Sequence, residues 1–203
     1  ILPNAWDAGT ARLMAHLGAP AVATSSAAVA WSHGYPDGGV LPVPLLAATV
    51  AAIAGVVDAP ITADVEGGYA GDAAGAGEAV AAVVAAGAVG INLEDSVAPP
   101  ELLAAKIAAA KAAAARQGVD LFVNARTDVY LHGLAPAEGR VTETLARAER
   151  YRAAGADGLF VPGVAAAEEI RAIAAGAGLP LNVLAVPGLP AAAELAALGV
   201  RRL

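Results

Sequence analysis

Short apolar runs alternate along the chain with alanine-rich stretches of helical pattern, and the alternation repeats at a spacing of roughly 25 residues, the length of one strand-and-helix unit. A strand tip is predicted at residues 1–4, followed by a helix over about 7–17 that Gly18 ends. Further strands are expected at 21–24, from 61 onward, and at 90–93, 121–125, 158–161 and 181–184. Helices are expected over about 44–57, 73–86, 100–117, 142–154, 165–175 and 190–198. Residues 25–40, which contain Trp31, His33, Tyr35 and Asp37, read as one long loop, and Val200 to Leu203 begins an eighth strand.

Seven such units and an eighth strand match an α/β fold of the (β/α)8 TIM-barrel type, whose catalytic groups sit on the loops that follow the strands. A doubly wound open sheet is disfavoured, because no Gly-x-Gly-x-x-Gly follows the first strand. Residues 1–203 are then a single catalytic domain. The eighth helix is absent from the sequence, either because the chain is cut short or because a partner subunit supplies it.

The residues are 58% hydrophobic, which raises the question of a membrane. The uncharged run Gly38 to Val57 contains Pro42 and Pro44 and leaves too short a helix to cross a bilayer. A net charge of -7 with only 12 Lys and Arg gives no footprint for nucleic acid. The lack of cysteine rules out a disulfide framework, a thiolate zinc site and a thiol nucleophile, and fits a cytoplasmic address.

Three of the expected strands break into charged residues at their C-terminal ends. They read Ile61-Thr62-Ala63-Asp64-Val65-Glu66-Gly67-Gly68-Tyr69, Gly90-Ile91-Asn92-Leu93-Glu94-Asp95-Ser96 and Leu121-Phe122-Val123-Asn124-Ala125-Arg126-Thr127-Asp128. Asp64 and Glu66, two apart, point to the same side for as long as the strand lasts. With Glu94 and Asp95 they place more negative charge in one pocket than it tolerates unpaired, which a divalent cation resolves. An all-oxygen set favours Mg2+, or Mn2+, over zinc, and Mg2+ keeps several waters, so one or two direct carboxylates suffice. The same acids can instead cap the following helices or pair with Arg126.

Arg126 leaves the fifth strand at the same level. Its guanidinium suits a bidentate grip on a substrate carboxylate or phosphonate, or a structural ion pair with Glu94 or Asp128. Ser25-Ser26-Ala27 follows the second strand, where hydroxyls and backbone N–H groups can hold an anionic group. Asn4, Trp6 and Asp7 end the first strand, with Asp7 either a helix cap or a ligand. Asp37 lies in Gly34-Tyr35-Pro36-Asp37-Gly38-Gly39, by composition a turn. His33 and His132 are loop histidines open to acid–base work, and His16 reads as structural.

The three strand ends, together with Asn4-Ala5-Trp6-Asp7-Ala8-Gly9, Thr24-Ser25-Ser26 and Gly34-Tyr35-Pro36-Asp37-Gly38, resemble the isocitrate lyase/phosphoenolpyruvate mutase superfamily over nearly the whole chain. The resemblance implies a (β/α)8 barrel whose eighth helix is commonly exchanged between subunits, and hence a homodimer or homotetramer. It implies that Asp64 binds Mg2+ directly and that Glu66 and Glu94 hold it through water. Asp37 then regains a place near the metal water or substrate, and joins Arg126 and Glu94 as an expected catalytic residue. Ser25, Ser26 and Ala27 are expected to bind one carboxylate or the phosphonate, and Arg126 the substrate's anionic end. Trp6 and Asn182 complete the expected substrate-binding set. The implied substrates are 2-oxo or 2-hydroxy carboxylates and their phosphonates.

Lyases of that superfamily carry a Lys-Lys/Arg-Cys-Gly-His loop soon after the fourth strand, and its mutases a lysine after the Glu-Asp pair. Here the region is short and reads Ser96-Val97-Ala98-Pro99-Pro100, with no Cys, Lys or His. Glu66 stands where many relatives have aspartate, and an extra glycine follows it. The expected activity is Mg2+-dependent cleavage of a C–C bond in a 2-oxo or 2-hydroxy carboxylate through an enolate, decarboxylation or hydrolysis of an oxaloacetate-like acid included. The alternatives are a phosphoenolpyruvate/phosphonate mutase or C–P hydrolase, and a 2-oxo acid binding protein without turnover.

Overall fold

The computed structural model describes residues 1–203. Eight strands are present: β1 (Asn4–Ala5), β2 (Val22–Thr24), β3 (Ile61–Asp64), β4 (Gly90–Glu94), β5 (Phe122–Arg126), β6 (Gly158–Phe160), β7 (Leu181–Asn182) and β8 (Val200–Arg202). All pair in parallel and in chain order. The Leu2 N–H donates to the Leu203 carbonyl at 2.7 Å, which brings the β8 edge round to the chain entering β1. The result is the expected α/β barrel.

Helix α1 (Ala8–His16) follows β1, and α2 (Ser26–Ser32) and α3 (Val43–Ala54) follow β2. Helices α4 (Ala73–Ala85), α5 (Pro100–Ala115), α6 (Arg140–Ala153), α7 (Ala167–Gly176) and α8 (Ala192–Ala197) follow β3 to β7, one each. The strands are apolar on both faces because helices cover one face and the barrel interior the other: in β4, residues 90–93 are all buried. Leu46, Ile53, Ile91, Leu93, Leu103 and Ile107 are among the core side chains almost wholly withdrawn from water. Alanine dominates α5, where low rotamer entropy favours a helix, and Pro100 opens its first turn, where no N–H is needed. No helix is long and apolar enough to cross a membrane.

Two sequence expectations change, and one left open is decided. The segment 25–40 is not one loop: Ser25 caps α2, its hydroxyl accepting from the Ala28 N–H at 3.4 Å. The helix was hidden because its short Ala-rich run lies between a strand end and a glycine-rich turn. The first strand lies at Asn4–Ala5 rather than 1–4, with Ile1 largely exposed. Asp7 is a cap: its Oδ1 accepts from the Thr10 N–H at 2.7 Å while the Thr10 hydroxyl lies near the Asp7 backbone, a reciprocal capping box.

Candidate active site

Parallel register alone brings the charged strand ends together. Asp64 on β3 pairs with Asn92 on β4, Asn92 with Asn124 on β5, and Glu94 with Arg126. At the C-terminal ends of the strands lies a cleft of about 540 Å3, lined by Ser25, Ser26, Ala27, Asp37, Asp64, Arg126 and Asn182 among others. A second cavity of about 480 Å3 holds Glu66, Tyr69, Glu94, Ser96 and Lys106.

Asp64 is the buried acid of the first cleft. Its backbone N–H donates to the Thr24 hydroxyl at 2.8 Å. Its Oδ1 accepts from the Glu66 N–H at 3.1 Å and its Oδ2 from the Ser26 N–H at 3.4 Å. Burial raises its pKa, against the N–H of Glu66, the charge of Arg126 and Ser26, which lower it.

Glu66 does not share the face of Asp64 along a strand, because β3 stops at Asp64 and Glu66 takes the left-handed region at φ 49°. The turn carries its side chain into the second cavity, where Oε1 accepts from the Tyr69 hydroxyl at 2.9 Å. Gly68, at φ 88°, is needed there: a Cβ would stand 2.7 Å from the Ala76 methyl. Lys106, buried on α5, holds the turn by donating to the carbonyls of Gly67 at 2.6 Å and Ala70 at 2.8 Å. Burial raises the pKa of Glu66, and the charges of Asp37 and Asp64 add to the rise while the Tyr69 hydroxyl opposes it. Asp37, a turn residue by composition, thus stands within the same acidic group.

Arg126 performs both structural pairings that its position allowed. Nε and Nη2 donate to Asp128 at 2.7 and 3.0 Å, and Nη1 stands 2.7 Å from Glu94 Oε2. The guanidinium also lines the cleft, with the Phe160 ring 5.8 Å away. Glu94 is pushed up to about 8 by burial, and the charges of Asp64, Asp128 and Glu66 add to this against the pull of Arg126. The folded chain therefore holds a proton that the unfolded chain releases near the ordinary glutamate value of 4.5. The contribution of Glu94 to the stability of the metal-free protein should then be full below that value and be lost as pH rises through about 8. Urea melts at pH values across this window check this; Glu94→Gln should flatten the profile, and no slope in the parent chain would refute it.

Asp95, grouped with the acids by its sequence position, lines the second cavity beside Glu66 and Glu94, but its carboxylate is engaged in structural bonds. It is buried beneath the loops, where Oδ2 accepts from Arg147 Nη1 at 2.9 Å and from the Tyr151 hydroxyl at 2.6 Å. Its Oδ1 accepts from the Asp128 N–H at 2.9 Å, so it braces the residue that holds Arg126. Trp6 is 41% exposed and lies outside the residues lining the cleft. His33 meets the Thr49 hydroxyl at 2.8 Å, and His132 lies 3.5 Å from Asp128; neither lines the two cavities.

Two basic residues of the site escaped sequence reasoning. Arg202 lines the cleft from β8, and its signal was the Val200-Arg201-Arg202 run, in which strand alternation turns Val200 inward, leaves Arg201 exposed and draws Arg202 partly inward. Lys106 carried no signal, because a lone lysine in an alanine-rich helix reads as a solvated one.

Asp64, Glu66 and Glu94 are desolvated acids with raised pKa values that feel one another's charge, and every donor is oxygen. No three acidic or histidine side chains converge as a closed cage. This combination fits a hard cation that keeps much of its water, as Mg2+ does.

The family model of phosphoenolpyruvate phosphomutase matches residues 1–203. A protein of Mycobacterium tuberculosis is 38% identical over 100% of the chain, which spans 75% of that relative. A solved structure from Burkholderia cenocepacia, provisionally named a phosphonomutase, superimposes with a TM-score of 0.94 at 46% identity, covering 99% of this chain and 84% of that one. A phosphonopyruvate hydrolase crystallised with oxalate and Mg2+ superimposes with a TM-score of 0.84 at 29% identity, covering 98% and 71% of the two chains. On sequence, fold and the register of its acidic strand ends, the chain belongs to the phosphoenolpyruvate phosphomutase family, within the isocitrate lyase/phosphoenolpyruvate mutase superfamily.

Proposed function

We propose that the protein is a Mg2+-dependent enzyme that breaks the C–C bond of a small 2-oxo or 2-hydroxy carboxylate through an enolate. The observation that carries this reading is the meeting of Asp64, Asp37, Arg126 and Ser25–Ala27 around one cleft at the C-terminal ends of the strands. Relatives named as a carboxyvinyl-carboxyphosphonate phosphorylmutase, a 2,3-dimethylmalate lyase and an oxaloacetate decarboxylase, of which the chain spans 54 to 62%, support an enzyme of this superfamily.

Asp64, with Glu66 and Glu94, would hold the cation, which when bound supplies Lewis-acid polarisation of the substrate's oxo and carboxylate oxygens. Ser25, Ser26 and Ala27 bind one anionic group of the substrate. Arg126 binds and orients the carboxylate, and its fixed charge stabilises the enolate as the bond breaks. Asp128 keeps the guanidinium in one plane through two hydrogen bonds, so no reorganisation is needed at that moment. Nη1 stands 2.7 Å from Glu94 Oε2, which fixes the remaining edge of the guanidinium beside the cleft. The five residues 95–99 between β4 and α5 offer no side-chain acid beyond the buried Asp95, so decarboxylation or hydrolysis of an oxaloacetate-like acid stands equally beside retro-aldol cleavage as the form of the C–C bond breaking.

A second reading, C–P bond chemistry at the same cleft, is favoured by the likeness to the phosphonopyruvate hydrolase. Product detection by NMR tests both, using oxaloacetate, 2-methylisocitrate, other 2-substituted malates and phosphonopyruvate with Mg2+, beside an EDTA control. Pyruvate or glyoxylate formed from oxaloacetate, 2-methylisocitrate or a substituted malate only without EDTA supports the first reading. Phosphoenolpyruvate, or phosphate release from phosphonopyruvate alone, moves the protein to the second, and no product from any acid overturns both.

A further inference from the structure

The guanidiniums drawn in from the surface do not all have the same company. Arg126 faces Asp128 and Glu94, and Arg147 faces Asp95 and Glu143. Arg202 is different: it forms no ion pair, and its one hydrogen bond runs from Nη2 to Asn92 Oδ1 at 3.2 Å. That oxygen already accepts from Asn124 Nδ2 at 2.9 Å, so both of its lone pairs are taken. An arginine carries five N–H donors, and the chain satisfies one of these. Desolvation lowers the pKa of Arg202 to about 10, with the charge of Asp64 its opposing influence. A partly buried cation without an anion is costly and calls for a partner.

The partner's place is open to view. Arg202 lines the same cleft as Arg126 but enters from β8, three strands further round the barrel. Asn182 on β7 is its register neighbour, and Asn4 on β1 lines the cleft on the other side of the seam between β8 and β1. A cation beside neutral amides that no carboxylate holds in an ion pair recognises an anionic oxygen group.

We propose that Arg202, flanked by Asn182 and Asn4, is a second anion-binding point of the cleft and selects a dianionic substrate, one charged group lying toward Arg126 and the other against Arg202. The assignment rests on the reading of this cleft as the site of a small 2-oxo or 2-hydroxy acid. It makes Arg202 a specificity-determining residue.

Malate and lactate separate the two ideas, since both are 2-hydroxy carboxylates and only malate has a second carboxylate. Calorimetric titration of the full chain with each acid, in the presence of Mg2+, is expected to show malate binding about tenfold tighter or more. Arg202→Gln should remove that preference, weakening malate by about tenfold while lactate stays within about twofold, and Arg202→Lys should keep part of it. The melting temperature of Arg202→Gln should not fall, because an unpaired cation has been taken out. Equal loss of both acids, with a lower melting temperature, would make Arg202 structural and overturn the proposal. Lactate binding as tightly as malate to the parent chain would reject the role of Arg202 and leave the acid-binding cleft standing. Binding of neither acid would reject both.

Discussion

Asp64→Asn is expected to lower kcat/KM by roughly 10^3-fold and to abolish the response to added Mg2+, because the substitution removes charge and leaves shape. The amide side chain keeps an oxygen for the Glu66 N–H and the backbone bond to the Thr24 hydroxyl at 2.8 Å is untouched, while its NH2 replaces the acceptor of the long Ser26 N–H bond at 3.4 Å. Stability should change little. Burial disfavours the charged form of Asp64 and raises its pKa, and a neutral side chain escapes that cost. Turnover of the acid found by NMR and a calorimetric Mg2+ titration of the unliganded variant check the expectation. Retained Mg2+ binding would remove Asp64 from the metal set.

Arg147→Ala carries the largest expected effect on stability. It strips Asp95, whose side chain is wholly buried, of its charged partner at 2.9 Å and leaves the Tyr151 hydroxyl and the Asp128 N–H to hold a buried anion. Breaking one side of such a pair costs about 3–5 kcal/mol. For a chain of this size the melting temperature should fall by roughly 10 °C. Combining Arg147→Met with Asp95→Asn should recover part of the loss, because no buried charge is then left unpaired. A double variant less stable than either single one would show that the pair contributes more than mutual neutralisation. Since Asp95 braces Asp128, and Asp128 holds Arg126, the single variant should also lose some activity at temperatures where it is still folded.

These two acids show how far the strand ends could be read in advance. Asp64 and Asp95 both follow apolar strands, and the strand pattern, without the family motifs, gives each the same weight. Only packing separates them: Asp64 ends β3 facing the cleft, while Asp95 lies one residue beyond β4 and turns toward α6, where Arg147 and Tyr151 wait. Glu66 makes the same point. A period of two predicts its direction only inside a strand, and β3 has already ended.

The alternation of apolar runs and alanine-rich helices determined the barrel, the strand order and the end of the barrel at which the acids lie, because strand and helix periods and parallel connections are local and chiral rules. Family motifs marked Asp37, Asp64, Glu94 and Arg126. What the tertiary structure alone decided is which charges meet. Arg126 finds Glu94 on β4 and Asp128 within its own loop, Arg147 reaches Asp95 from 52 residues away, and Arg202 is carried round to a cleft in which no carboxylate pairs with it. Charge pairing depends on distance and burial across the closed barrel, and neither quantity is written in the spacing of residues along the chain.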